Sequence, residues 1–213
     1  MERLNQNNAV KISGEIVSDF TYDHEMYGEG FYKVFVQVTR ISGNLDTIPV
    51  MVSDRIIDVN KNLAGEMVAI EGEFRSYNKH LLGANKLLLF VLCKKIEIVK
   101  YCMNEDEIFL RGFICKNPIY RKTPFKREIS DLLIAVNRYY GKSDYIPCIC
   151  WGRNARFASG FEVGGHTQIW GRIQSREYMK KLDEEHVEKR VAFEVSVSKL
   201  ELLEEAQVQE SIV

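Results

Sequence analysis

Apolar and polar residues alternate in short runs along almost the whole chain. The first half holds VKISGEIV (10–17), YKVFVQVT (32–39), MVAIEGEF (67–74) and LLLFVLCKKIEIV (87–99). The second half holds IFLRGFI (108–114), DLLIAVN (131–137), YIPCICW (145–151), TQIWGRIQ (167–174) and VAFEVSVSKLEL (191–202). Side chains on a strand point alternately to two faces, so a period of two with β-branched enrichment predicts half-buried strands. One stretch, RNARFASGFEVGG (153–165), lacks this period and ends in glycines, which predicts a short helix there.

The runs repeat in order. VKISGEIV matches IFLRGFIC, with Gly14 answering Gly112; VFVQVTR ending at Arg40 matches LLIAVNR ending at Arg138; DTIPVMV from Asp46 matches DYIPCIC from Asp144. Each of these pairs is separated by 98 positions. IEGEFRS (70–76) then matches IWGRIQS (169–175) at 99, and KIEI from Lys95 matches KLEL from Lys199 at 104. A slowly growing offset is what loop insertions produce in a duplicated domain. Five strands with one short helix after the third is the layout of an OB-fold, a small Greek-key barrel. The predicted fold class is therefore all-β: two tandem OB-fold five-stranded barrels, each with one short helix. The first is expected over 1–101 and the second over 105–205, with YCMNEDE (101–107) as linker and 206–213 as a polar tail.

Composition narrows the function. The 213 residues are 46% hydrophobic and 28% charged, a soluble globular balance, and no apolar run is long enough for a membrane span. The N-terminus MERLNQNNAV carries no signal-peptide pattern, and the five cysteines are odd in number with no C-x-x-C. A reducing, cytoplasmic setting is expected, associated with the nucleoid, with Cys148 and Cys150 as buried small hydrophobes. The four histidines are scattered without ligand spacing, and no Walker, G-x-S-x-G or H-E-x-x-H motif occurs. No catalytic residue, metal or cofactor is expected.

The formal net charge of −1 hides a division between the copies. Residues 10–82 carry 7 Lys/Arg against 11 Asp/Glu, whereas residues 108–181 carry 14 against 5. Five cations fall within YRKTPFKREISDLLIAVNR (120–138) alone. Aromatics follow the same division: Tyr139, Tyr140, Tyr145, Trp151, Trp170 and Tyr178 lie in the second copy, while Ser42, Thr47 and Ser53 stand where Tyr140, Tyr145 and Trp151 have their counterparts. On an alternating strand Tyr145 and Trp151 share the face opposite Cys148 and Cys150. Flat rings among cations fit a single-stranded nucleic acid, with rings for unstacked bases and cations for phosphates. Arg121, Lys122, Lys126, Arg127, Arg138, Arg153, Arg172 and Arg176 are the expected phosphate contacts, and the loops around 116–127 and 176–190 would embrace the strand; six contacts imply a log–log salt slope of about −4. DNA and RNA are equally open at this level, as is an assembly protein whose barrels pack on one another or on a protein partner.

Three motifs in the second copy, RGFICKNPIYRKTPFKREISDLLIAVNR, IPCICWGRNARFA and IWGRIQSREY, carry a family resemblance. Over 108–203 the chain resembles the bacterial single-stranded DNA-binding proteins, and residues 10–99 look like a diverged relative of the same domain. The resemblance implies base stacking on four aromatic positions, which fall on Tyr140, Tyr145, Trp151 and Tyr178. It implies coating of single-stranded DNA in replication, recombination or repair, and assembly of four OB domains, here a homodimer of a tandem chain with the acidic first copy supplying the interface. Replicative members carry a long tail with an acidic tip; here the sequence runs to QESIV soon after the second barrel, which favours an accessory or primosome-type role.

Overall fold

The computed structural model describes residues 6–81, 84–101, 103–181 and 187–203. The predicted tail (206–213) and the acidic stretch LDEEH (182–186) lie outside the described residues. The first barrel is built from β1 (Asn8–Ile16), β2 (Thr21–Met26), β3 (Glu29–Thr39), β4 (Leu45–Ser53), β5 (Met67–Leu81) and β6 (Ala84–Ile98). The second consists of β7 (Asp106–Ile114), β8 (Ile119–Lys122), β9 (Glu128–Asn137), β10 (Ser143–Trp151), α1 (Arg153–Ala158), β11 (His166–Lys181) and β12 (Val187–Leu202). Strand β7 starts inside the predicted linker. In each barrel the sheet closes through a parallel pair, β4 on β6 and β10 on β12, and through a return of the first strand onto β3 or β9.

The cores match position for position. Ile12, Val36, Ile48, Val50, Phe74 and Val91 fill the first barrel, and Leu110, Ile134, Ile146, Cys148, Ile173 and Val195 fill the second at the offsets read from the sequence. At Gly14 and Gly112 the first strand passes so close to the third that a Cβ would overlap the carbonyls of Gln37 and Ala135. Glycine is required there by contact, not by backbone angle.

Two expectations are corrected. Each barrel has six strands, because the loop after the first strand folds back as an edge strand, β2 or β8; both are fully exposed and so lack the alternating pattern that marks a half-buried strand. Among the described residues the only α-helix is α1. The equivalent stretch of the first barrel forms turns, in which Asp58 Oδ1 accepts from the Asn60 amide (3.2 Å) and Asn62 Oδ1 from the Ala64 amide (2.9 Å). Side chains that bond their neighbours' backbone in this way favour turns over helix.

The barrels are continuous with each other. β1 and β7 pair antiparallel about Val10 and Ile108, which are equivalent positions, so a pseudo-twofold axis relates the two halves. All twelve strands form one sheet that begins at β2 and ends at β8. Around the axis the same polar contact is made twice. Asp144 takes the Arg138 guanidinium of its own barrel, and across the junction the Ser76 amide (2.6 Å) and Arg75 (2.9 Å). Asp46 takes Arg40 of its own barrel and, across the junction, the Ser175 amide (2.6 Å) and hydroxyl (2.9 Å). Both carboxylates are buried, and their neighbouring guanidinium and amide donors hold their pKa below the ordinary aspartate value against the opposing effect of burial, which is the largest single influence.

Candidate nucleic-acid interface

Strands β9 and β10 carry the outward face of the second barrel. Their register sets Trp151 opposite Ile129, Ile149 opposite Asp131, Pro147 opposite Leu133 and Tyr145 opposite Ala135. Directly opposed residues point to the same side of a sheet, so these share one face, on which Tyr145 and Trp151 are exposed while Ile129 and Ile149 are buried; Cys148 and Cys150 are buried on the other face. Burial pushes the Cys150 thiol up to about 12 and raises Cys148 as well, which leaves both protonated and inert. Tyr145 and Trp151 are each 39% exposed at the two ends of β10. Tyr139 and Tyr140 belong to a single 3-10 turn, Tyr139–Gly141, just before that strand; Tyr139 is largely exposed, and only the backbone of Tyr140 is described.

The basic stretch is a hairpin. β8 pairs with β9 from Ile119–Asp131 to Lys122–Glu128, and the turn is closed by the Thr123 amide on the Arg127 carbonyl (2.8 Å) and the Lys126 amide on the Thr123 carbonyl (2.8 Å). Lys126 sits at φ 60°. Lys122, Lys126 and Arg127 are exposed and make no ion pair among the described residues, while Arg121 reaches Asp131 (2.9 Å). Arg121 stands in the same cross-strand row as Ile129 and Trp151, so the hairpin extends the aromatic face directly. Arg153, the first residue of α1, is also exposed.

Tyr178 and Arg176 lie on the β11–β12 hairpin. The Arg176 guanidinium sits 5.9 Å from the Tyr178 ring centre and 3.8 Å from Glu194. Two of the expected phosphate contacts are otherwise engaged: Arg138 holds Asp144 and the Ser76 carbonyl (2.8 Å), and Arg172 reaches Asp46 (3.5 Å) and Gln174 (3.1 Å). Both arginines serve the junction between barrels. The amide of Tyr145 donates to Ser76 Oγ (2.8 Å), so the first barrel fixes the backbone at one aromatic of the second, a contact that no sequence motif announced. Trp170 lies elsewhere, on the outer side of β11 against Phe109 (ring centres 5.2 Å) and under Lys199 (4.5 Å). Phe113 and His166 stack farther along the same strands (4.6 Å).

Residues 105–203 match the single-strand binding protein family. The likeness to that family spans the second barrel. Two curated single-strand binding relatives are a single-stranded DNA-binding protein 2 of Listeria innocua, 31% identical over 80 residues, and a single-stranded DNA-binding protein A of Bacillus subtilis, 30% identical over 80. Each match covers 34% of this chain, and 50% and 46% of the relatives, so the chain spans about half the length of the curated relatives it matches. The wild-type single-stranded DNA binding protein of Thermus aquaticus superposes with a TM-score of 0.77 over 95% of both chains at 18% identity. A deletion mutant of that protein gives 0.73 over 95% of this chain and 97% of its own. The single-strand binding fold thus extends over both barrels, the acidic one included.

Proposed function

We propose that the second barrel binds single-stranded DNA by stacking bases on Tyr145, Trp151, Tyr140 and Tyr178, with no chemical step. The observation that carries this reading is the cross-strand row in which Trp151 and Arg121 flank the buried Ile129, so that a base platform stands across one strand from a hairpin whose Lys122, Lys126 and Arg127 make no ion pair among the described residues. The first barrel keeps the scaffold and has Ser53 and Thr47 where the platforms would be. Setting Arg138 and Arg172 aside as junction residues leaves Arg121, Lys122, Lys126, Arg127, Arg153 and Arg176 for phosphates. Six contacts give a salt slope of about −4.

Such a protein would coat single strands during replication, recombination or repair in the cytoplasm, as a homodimer presenting four OB domains. The acidic first barrel is the expected dimer contact, and the aromatic outer surface formed by Phe109, Trp170 and Phe113 is a second surface suited to one.

Titration with poly-thymidine, followed by tryptophan fluorescence, tests the reading. Quenching that weakens with salt at a slope near −4 is expected. Trp151→Ala and Tyr145→Ala should each weaken binding roughly 5- to 150-fold, the equivalent of about 1–3 kcal/mol per stacked base, with oligomeric state unchanged. Variants that bind as the parent does but fall apart as oligomers would favour the assembly-protein reading instead.

A further inference from the structure

The two edge hairpins occupy equivalent places and carry opposite charge. Residues 19–31, around β2, hold Asp19, Asp23, Glu25 and Glu29 with no lysine or arginine. The equivalent residues 117–129, around β8, hold Arg121, Lys122, Lys126 and Arg127 against the single acid Glu128. Each tip presents one aromatic side chain to solvent, Tyr27 at 95% and Phe125 at 87% exposure, and these are themselves equivalent positions. β2 and β8 are the two ends of the strand order, so each hairpin has an open edge facing away from its own barrel.

Among the described residues Asp19 and Glu25 on one hairpin, and Lys122, Lys126 and Arg127 on the other, make no ion pair. In the acidic hairpin Asp23 bonds His24 (2.7 Å) and Glu29 meets Arg55 (3.5 Å), both on the surface. In the basic hairpin Arg121 meets Asp131, and Glu128 is taken by Tyr120 (2.7 Å) and Arg156 (3.2 Å). An open strand edge invites pairing with another chain, and like charges on it prevent that pairing. Acidic edge against acidic edge is repelled here, as is basic against basic. Acidic against basic is the one edge-to-edge combination the charges permit.

We propose that the β2–β3 hairpin of one molecule docks on the β8–β9 hairpin of a second copy of this chain. The contact is heterologous, joining different surfaces, so every docked pair keeps one free hairpin of each sign and the association is open-ended. It uses the cationic surface assigned above to phosphates and so rests on the single-stranded DNA reading, in which a bound strand displaces it. The acidic, aromatic hairpin thereby occupies the groove when no DNA is present.

Sedimentation velocity at low salt, where the screening length is ~30 Å, against physiological salt, where it is ~8 Å, reads this directly. The intact protein should form species above its physiological-salt size as its concentration rises at low salt. Reversing Asp23, Glu25 and Glu29 to Lys should abolish them, as should reversing Lys122, Lys126 and Arg127 to Glu. Mixing the two reversed proteins should restore association, because the first then carries two basic hairpins and the second two acidic ones, and one chain carrying both reversals should associate by itself. Five of the six side chains are exposed and Glu29 is half-buried beside Arg55, so the far-ultraviolet circular dichroism of each variant, expected to match the parent, checks that it is folded. A size independent of salt and concentration, or single reversals that associate as the parent does, would overturn the proposal. Poly-thymidine should disperse the larger species; species that persist with saturating bound strand would overturn the shared surface. Loss of DNA binding with association intact would fault the DNA reading alone, and the acid-to-Lys variant, whose groove is untouched, should still bind DNA.

Discussion

Asn8 and Asp106 are equivalent residues with different chemistry, and the difference predicts a pH response. Asn8 uses both ends of its amide on one residue: Nδ2 donates to the Phe74 carbonyl (2.7 Å) and Oδ1 accepts from the Phe74 amide (2.8 Å). Asp106 accepts from the amide of Ile173, the counterpart of Phe74 (2.9 Å), and only in its protonated form does it have a donor to match that of Asn8. Burial, the largest influence, pushes its pKa up to about 7; Asp46 acts in the same direction, while the Ile173 amide, Arg172 and Arg40 oppose it. A carboxyl raised in the folded state binds more protons there than when unfolded. Its stabilising contribution is therefore complete below pH ~4 and is lost as pH rises through about 7. His166, lowered by burial and by Arg111, acts in the opposite sense near its usual range, so the comparison must be between proteins. Asp106→Asn, which copies Asn8, should raise the urea midpoint relative to the parent at pH 8 and by less at pH 5. Equal differences at both pH values would refute the account. Asp46 and Asp144, both lowered, contribute stability present above the ordinary aspartate pKa and lost as pH falls through their folded values, outside that comparison.

At the scale of elements, most of the barrel was legible because strand alternation and duplication reinforce each other. β1 and β7, and likewise β4 and β10, begin and end 98 positions apart, so one copy's pattern confirms the other's. The edge strands escaped notice because a strand with both faces in water has no alternation to show. The first barrel lacks the expected helix for a related reason: a gap between strands shows in the sequence pattern, whereas the Asx turns of Asp58 and Asn62 that fill it do not. In the candidate site, Tyr145 and Trp151 were placed on one face by periodicity alone, whereas the engagement of Arg138 and Arg172 depends on Asp144 and Asp46 across a junction that no local pattern encodes. The equivalent pair Gly14 and Gly112 can be tested at this scale. Gly112→Ala must move β7 away from the Ala135 carbonyl. It should cost about 1–3 kcal/mol, seen as a lower denaturation midpoint with an unchanged slope.

Over the whole molecule, the first barrel acts as a brace for the second. Ser76 fixes the backbone of Tyr145, and Asp46 anchors Ser175 on the hairpin that leads to Tyr178. Both ends of the aromatic set thus depend on a domain that has none of the platforms itself. Ser76→Ala removes the acceptor for the Tyr145 amide and leaves the groove's side chains intact. It should weaken poly-thymidine binding by a few-fold while the salt slope stays near that of the parent, since no phosphate contact is lost. A changed slope would mean that Ser76 acts on the cations instead.

The pairing of β1 with β7 about Val10 and Ile108 has an evolutionary consequence. In a dimer of identical chains every substitution strikes both halves, so one half cannot turn acidic without the other following. Here both halves lie on one polypeptide, and a codon changed in one leaves its counterpart untouched. Division of labour between the barrels became available to selection at the moment the two were joined.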